Sequence, residues 1–294
     1  MHNGLDPGRV RLIHPDNVPS QSARHSFPAR PDQRRIVAHV QAHIACKCAG
    51  ARVHLTEVDP GTGALCGNVG LHVGDREELV RGRRRALADL LGRDVVWMNQ
   101  THSTVVEVIA RGEQGPVLAR SGVALGRPAT GEWGPVEADG VVIDAREWRG
   151  GPALAVQTAD CLPVVLSAAD GRVVAAVHAG RRGLLGGILS EAVAALRART
   201  DGPIEALIGP AICGSCYEVP EQMASESESS MPGIRTRTSW GTPSLDLPAA
   251  AAASLSALGV RVVTDPRCTL EDQALFSYRR DSGCGRQALV IVPV

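Results

Sequence analysis

Gln157-Thr-Ala-Asp-Cys-Leu-Pro163 and Val177-His-Ala-Gly-Arg-Arg-Gly183 decide how this chain is read. The first closes a β-rich run at 153–157 and leads into another at 164–166, and the second closes the run at 173–177. Short apolar runs rich in β-branched residues and bounded by Gly, Pro and Asp read as strands. Cys161 and His178 therefore stand at neighbouring strand ends, where a thiol and an imidazole can be brought to one point. A third donor, His102 in Trp97-Met-Asn-Gln-Thr-His, lies between β-rich runs at 95–98 and 104–109.

Outward from this centre the texture alternates. Residues 52–58 alternate as a strand does, and 77–91 carry apolar residues at 79, 80, 87, 90 and 91 before Gly92 ends the helix. Residues 110–138 are dense in Gly and Pro and read as a long loop, of the kind that is mobile or forms a lid. After a strand at 140–143, a helix over 184–199 keeps apolar positions at 185, 188, 189, 192, 193 and 196 on one face. A strand at 204–208 and a polar surface excursion at 225–242 follow. An Ala-rich helix at 248–258 and strands at 260–263 and 288–292 finish the chain. No internal repeat is present. Residues 1–50, with scattered Pro and a basic cluster at Arg30, Arg34 and Arg35, read as a loosely ordered leader. The expectation is one α+β domain over 51–294, α/β-like in its alternation, with mixed β-sheets flanked by helices.

Composition excludes several classes of function. The 294 residues carry 31 basic and 31 acidic side chains, so the net charge of zero gives no general attraction to phosphate backbones. Lys47 is the only lysine, which leaves a P-loop or a pyridoxal Schiff base almost without a candidate. Aromatic residues make up 3% of the chain, too few for base-stacking platforms. No apolar run is long enough to span a bilayer and no apolar leader segment precedes the domain, so nucleic acid and membrane are not expected partners. The eight cysteines read as reduced thiols in a cytoplasmic protein.

Two imidazoles and one thiolate with an open fourth position make a catalytic zinc sphere, and zinc lowers the pKa of bound water to about 7. Blue-copper sites use the same ligands, so copper stays open on ligand identity, although the chain lacks a His-x-His pair for a multinuclear copper centre. Cys161 and His178 could also form a nucleophile and base dyad without metal. The bland alternative is a buried thiol beside two histidines satisfied by backbone. Cys213-Gly-Ser-Cys216 has the spacing of a zinc half-site. The only other close pair, Cys46 and Cys48, has the wrong spacing, so inert thiols are the default there.

Asn68-Val-Gly-Leu-His-Val-Gly-Asp, Gln157-Thr-Ala-Asp-Cys-Leu-Pro, Val177-His-Ala-Gly, Ile208-Gly-Pro-Ala-Ile with Cys216-Tyr-Glu-Val, and Phe276-Ser-Tyr-Arg-Arg-Asp with Gly285-Arg occur in this order. Together they resemble the YfiH-like, or laccase-domain, family, also labelled polyphenol oxidase, over about 52–294. The resemblance implies a single mixed-sheet domain with a zinc site at His102, Cys161 and His178. It further implies a purine nucleoside enzyme that phosphorolyses adenosine, inosine, guanosine or methylthioadenosine, with adenosine deamination alongside. Copper-dependent polyphenol oxidation remains as an alternative.

Departures from the family pattern are Ser103 for Gly after the first His, Arg181 for Trp, and Val58 for Arg. For anion handling, Arg182 lies ahead of a helix N-terminus, and Arg279, Arg280 and Arg286 can share the work. Asp160 is a candidate to orient a ligand or carry a proton. Asn68, His72 and Gln100, with Arg279 and Arg280, are the candidate substrate contacts. A purine nucleoside and phosphate are the expected partners, with monomer and homodimer both open.

Overall fold

Strands that are apolar on both faces need cover on both sides. The computed structural model supplies it by stacking two sheets between helices; it describes residues 42–59, 63–148 and 150–294. The first sheet has six strands in the order β1 (Ala42–Cys48), β2 (Ala51–Thr56), β15 (Gln287–Val292), β8 (Ala153–Thr158), β3 (Val95–Met98) and β6 (Glu132–Val136). The second has seven, in the order β14 (Arg261–Thr264), β11 (Glu205–Ile208), β9 (Leu162–Ala168), β10 (Val173–Ala179), β7 (Gly140–Asp144), β4 (Val106–Arg111) and β5 (Pro116–Leu118). Both mix parallel and antiparallel pairs, so the expected mixed-sheet architecture with flanking helices is found.

Alternate residues of each strand serve different layers. Leu154 and Val156 of β8 pack with Val165, Val174 and Ala176 of the second sheet. The intervening Ala153 and Ala155 face Leu87 and Leu91 of α1 (Glu77–Leu91). On the far side, Val164, Leu166, Ala175 and Val177 meet Ile188, Leu189, Ala192, Val193 and Leu196 of α3 (Ile188–Arg197) and Leu255 of α5 (Leu247–Ala257). The layers thus run helix, sheet, sheet, helices. Among the described residues no helix is long and apolar enough to cross a membrane.

The structure differs from the expectation in four places. Of the stretch read as a leader, residues 1–41 lie outside the described residues. The rest includes β1, which joins β2 through a tight turn with Ala49 at φ 41° and Gly50 at φ 96°. The Gly- and Pro-rich stretch at 110–138 contains β5 and β6. Its glycines serve close packing: a Cβ on Gly134 would lie 2.5 Å from the Trp97 carbonyl oxygen. The helix expected at 184–199 is two helices, α2 (Arg181–Leu185) and α3, because Gly187 turns left-handed at φ 90°. The excursion at 225–242 holds most of α4 (Glu221–Ser230) and the strand β12 (Arg235–Arg237), which pairs with β13 (Pro243–Leu245).

Candidate metal centre

Cys161 sits where the chain crosses from one sheet to the other. β8 ends at Thr158, Asp160 takes φ 94°, and β9 begins at Leu162 in the opposite sheet. The register of β9 and β10 pairs Leu162 with Ala179 and Pro163 with His178, which brings Cys161 opposite Gly180. His102 arrives from the loop between β3 and β4. One donor atom each from His102, Cys161 and His178 lies within 4.8 Å of the others. The Cys161 Sγ is 3.6 Å from His102 Nε2, and the two imidazoles meet edge to face with centroids 4.7 Å apart.

Asp139, just before β7, organises this convergence. Its carboxylate accepts the backbone N–H groups of Thr101 (3.1 Å), His102 (3.0 Å) and Ser103 (2.7 Å), and the Ser103 hydroxyl at 2.6 Å. These bonds hold His102 at φ 62°, a left-handed conformation that costs a non-glycine residue about 1–2 kcal/mol. The same carboxylate lies 2.8 Å from His178 Nδ1, which leaves Nε2 of that ring as the outward donor. Burial opposes a charge on Asp139, yet the bonds from His178 and Ser103 hold its carboxyl below the usual range.

The electrostatics favour a thiolate. Burial pushes the Cys161 thiol up, but hydrogen bonds from His102 and His178 and their charge overcome it and bring the pKa to about 6. Burial pushes His178 down, and its bonds to Asp139 and Cys161 outweigh that, raising it to about 9. The thiolate is the form a metal binds, and the carboxylate on Nδ1 is the usual partner of a metal-ligating imidazole. His178 is buried, Cys161 half-buried and His102 exposed, so the group is open on one side. The donors present fit a tetrahedral ion with one free position.

The other site candidates separate into those near this group and those committed elsewhere. Asp160 adjoins Cys161, but its oxygens accept the Thr269 hydroxyl and the Arg279 backbone N–H, both at 2.7 Å, so it fixes the crossing turn. Gln100 bonds the Gln157 backbone in both directions, at 2.7 and 2.9 Å, tying the His102 loop to β8. Asn68 is fully buried; its amide gives to the Gly70 carbonyl and Asp75 and accepts from the Gly70 and Arg286 N–H groups. That exhausts its capacity, so the expected substrate contact is corrected to a structural clamp. Arg280 likewise spends its guanidinium on the carbonyls of Thr269, Leu270, Asp272 and Leu275.

Arg182 and His72 are exposed. Arg279 keeps an exposed guanidinium, held to the Glu218 carbonyl at 2.7 Å and 4.8 Å over the Tyr217 ring. Tyr217 is half-buried, and its hydroxyl is pushed up by burial and by the charge of Cys161. Asp139 and Tyr217 were not picked out from sequence. Asp139 had a signal, an Ala-Asp pair ahead of a strand just as in Ala159-Asp160-Cys161; Tyr217 had only its place in the Cys216-Tyr-Glu-Val motif.

Two stacked mixed sheets with a His-Cys-His group at the crossing turn define a class of protein that comparison with known proteins makes specific. The chain belongs to the family described as multi-copper polyphenol oxidoreductase laccase, whose family model matches residues 64–293. It is 42% identical over 230 residues to a purine nucleoside phosphorylase of Corynebacterium glutamicum, covering 76% of this chain and 85% of that one. A Streptomyces griseus protein of the same name is 43% identical over 233 residues, covering 75% and 84%. Among solved structures, the Neisseria meningitidis protein NMB0706 is similar at TM-score 0.67 and 36% identity, covering 83% of this chain and 95% of its own. The YfiH protein of Bacillus licheniformis is similar at TM-score 0.68 and 27% identity, with coverages of 83% and 93%.

Proposed function

We propose that the chain is a zinc-dependent purine nucleoside phosphorylase whose reaction centre is His102, Cys161 and His178. The convergence of these donors where β8 crosses to the opposite sheet as β9, beside the loop between β3 and β4, carries the reading. The relatives named as purine nucleoside phosphorylases supply the substrate class.

The Cys161 thiolate and the imidazoles of His102 and His178 would hold the zinc, which would supply Lewis acidity at the site. The chain's own residues do the rest. Asp139 fixes the tautomer of His178 and the loop of His102, so both rings are oriented before substrate arrives. Phosphorolysis needs an anion placed against the anomeric carbon while the purine leaves. The exposed guanidinium groups of Arg182 and Arg279 are the cations offered for it. Tyr217, whose ring carries the Arg279 guanidinium at 4.8 Å over one face, is the aromatic residue proposed for the base, in a chain that has Arg181 where its family has Trp.

The direct test is release of free base from inosine and adenosine by zinc-loaded protein with and without phosphate. Phosphate-dependent release, lost in Cys161→Ser, is expected; release independent of phosphate, or none at full zinc loading, rejects phosphorolysis. One observation favours a second reading: the lowered Cys161 and raised His178 make a thiolate and imidazolium pair suited to a cysteine hydrolase. That reading predicts covalent modification of Cys161 by iodoacetamide in zinc-replete protein and activity that survives a chelator. A copper-dependent oxidase would instead oxidise a phenol only after copper loading.

A further inference from the structure

Cys213, Cys216, Cys268 and Glu271 form a second group whose donor atoms all lie within 4.8 Å of one another. Two turns of like construction bring them together. In Cys213-Gly-Ser-Cys216, the Cys213 carbonyl accepts the N–H groups of Cys216 at 3.0 Å and Tyr217 at 2.9 Å. In Cys268-Thr-Leu-Glu271, the Cys268 carbonyl accepts those of Glu271 at 3.1 Å and Asp272 at 2.8 Å. Each turn thus presents two donors at the spacing of a zinc knuckle. The second pair, which sequence spacing did not reveal, comes from 55 residues further along the chain and contains a carboxylate in place of a cysteine.

The turns are fastened to each other. Ala211 and Cys268 form a parallel bridge, with the Thr269 N–H on the Ala211 carbonyl at 3.1 Å. The Cys213 N–H points at the Cys268 sulfur, 3.4 Å away, as backbone amides do toward thiolate ligands. Cys216 Sγ lies 3.6 Å from a Glu271 oxygen. Arg280 clamps the second turn by its carbonyls at Thr269, Leu270 and Asp272 and places a positive charge beside the group. Packing alone would account for clustered thiols with apolar neighbours, and Ile212 and Leu270 do surround them. A thiol hydrogen bond accounts for the Cys216–Glu271 contact, but neither it nor packing accounts for two matched turns whose four donor atoms all converge within 4.8 Å.

We propose that Cys213, Cys216, Cys268 and Glu271 bind a second, structural zinc ion. A zinc to sulfur distance of ~2.3 Å in a tetrahedron sets ligand sulfurs ~3.8 Å apart, within the span observed, so the group suits a single ion. Both turns also hold Asp160: the Ile212 N–H meets its carbonyl at 3.0 Å and the Thr269 hydroxyl its carboxylate at 2.7 Å. The ion would therefore brace the turn that carries Cys161 through these two bonds.

The test uses full-length Cys161→Ser protein supplied with zinc and desalted, which removes one ligand of the first centre and leaves the second intact. The expected result is about one zinc per chain, with Cys213, Cys216 and Cys268 alkylated by iodoacetamide at least about tenfold more slowly until a chelator is added. Absence of retained zinc overturns the proposal, as does equal alkylation of these cysteines with and without chelator. Wild-type protein under the same conditions separates the two centres. Two zinc ions mean that both exist; a single ion lost in Cys161→Ser and unaffected in Glu271→Gln means that only the first does. A single ion retained in Cys161→Ser with those cysteines protected means that only the second does.

Discussion

Gly180→Ala places one methyl group against two of the three donors of the first centre, His102 and Cys161. An ideal Cβ at this position would lie 2.5 Å from His102 Cδ2, 3.2 Å from its Nε2 and 3.3 Å from Cys161 Sγ. Comfortable carbon contacts begin at ~3.5 Å, so the His102 ring must retreat by about 1 Å. Metal sites tolerate displacements of only ~0.2 Å in ligand distance. A shift several times larger than that removes His102 as an effective ligand, and zinc affinity should fall by about 100-fold or more, equivalent to ~2.8 kcal/mol. The backbone itself accepts alanine, because Gly180 has φ −65° and ψ 164°. Folding should therefore cost no more than the ~1 kcal/mol expected for alanine at a helix N-cap. Chelator competition for the zinc that Cys161→Ser also releases, beside a urea titration, reads both quantities. Wild-type zinc affinity in a folded Gly180→Ala protein would refute the packing argument.

Three other perturbations probe the supports. Asp139→Asn replaces the acceptor of three N–H groups and of His178 with an amide, and zinc affinity at the first centre should drop about 10- to 100-fold; an unchanged value would remove Asp139 from the centre. Arg84→Leu strips the buried Glu132 of its 3.0 Å partner and should cost about 3–5 kcal/mol in urea unfolding, while Arg84→Leu with Glu132→Leu should recover most of it. A cost below 1 kcal/mol for the single variant would show that Arg81, 3.4 Å from the same carboxylate, suffices. His54 is buried without a hydrogen bond to either ring nitrogen, and burial and then Arg52 lower its pKa to about 4. Between the ordinary 6.5 and 4, the unfolded chain takes up this proton and the folded one does not. Stability should thus fall by up to about 3 kcal/mol as pH drops through that window, and His54→Leu should lose that part of the slope. Parallel stability curves for the two proteins would contradict this.

The sequence carried the elements whose pattern is local. The helix at 77–91 and the strand at 95–98 coincide with α1 and β3, since amphipathic spacing and the Gly92 stop are both readable along the chain. The possible metal-binding group was legible in part, because Cys161 and His178 stand at the ends of paired strands, whereas His102 sits in the loop between β3 and β4. What stayed hidden depends on partners distant in sequence. The glycines at 110–138 resemble loop residues until Gly134 is seen against the Trp97 carbonyl. Asn68, Gln100 and Arg280 resemble ligand-binding residues until their backbone partners are counted. Cys213 and Cys216 look like half a site because Cys268 and Glu271 come from a different turn. Pattern thus recovers the frame, whereas the satisfaction of polar groups has to be read from the fold.

Anomalous diffraction from crystals of zinc-loaded protein, collected on both sides of the zinc edge, locates the ion. A zinc centre at His102, Cys161 and His178 predicts a peak ~2.0–2.3 Å from one nitrogen each of the two histidines and from the cysteine sulfur. Full zinc loading with no peak among those three side chains would contradict it.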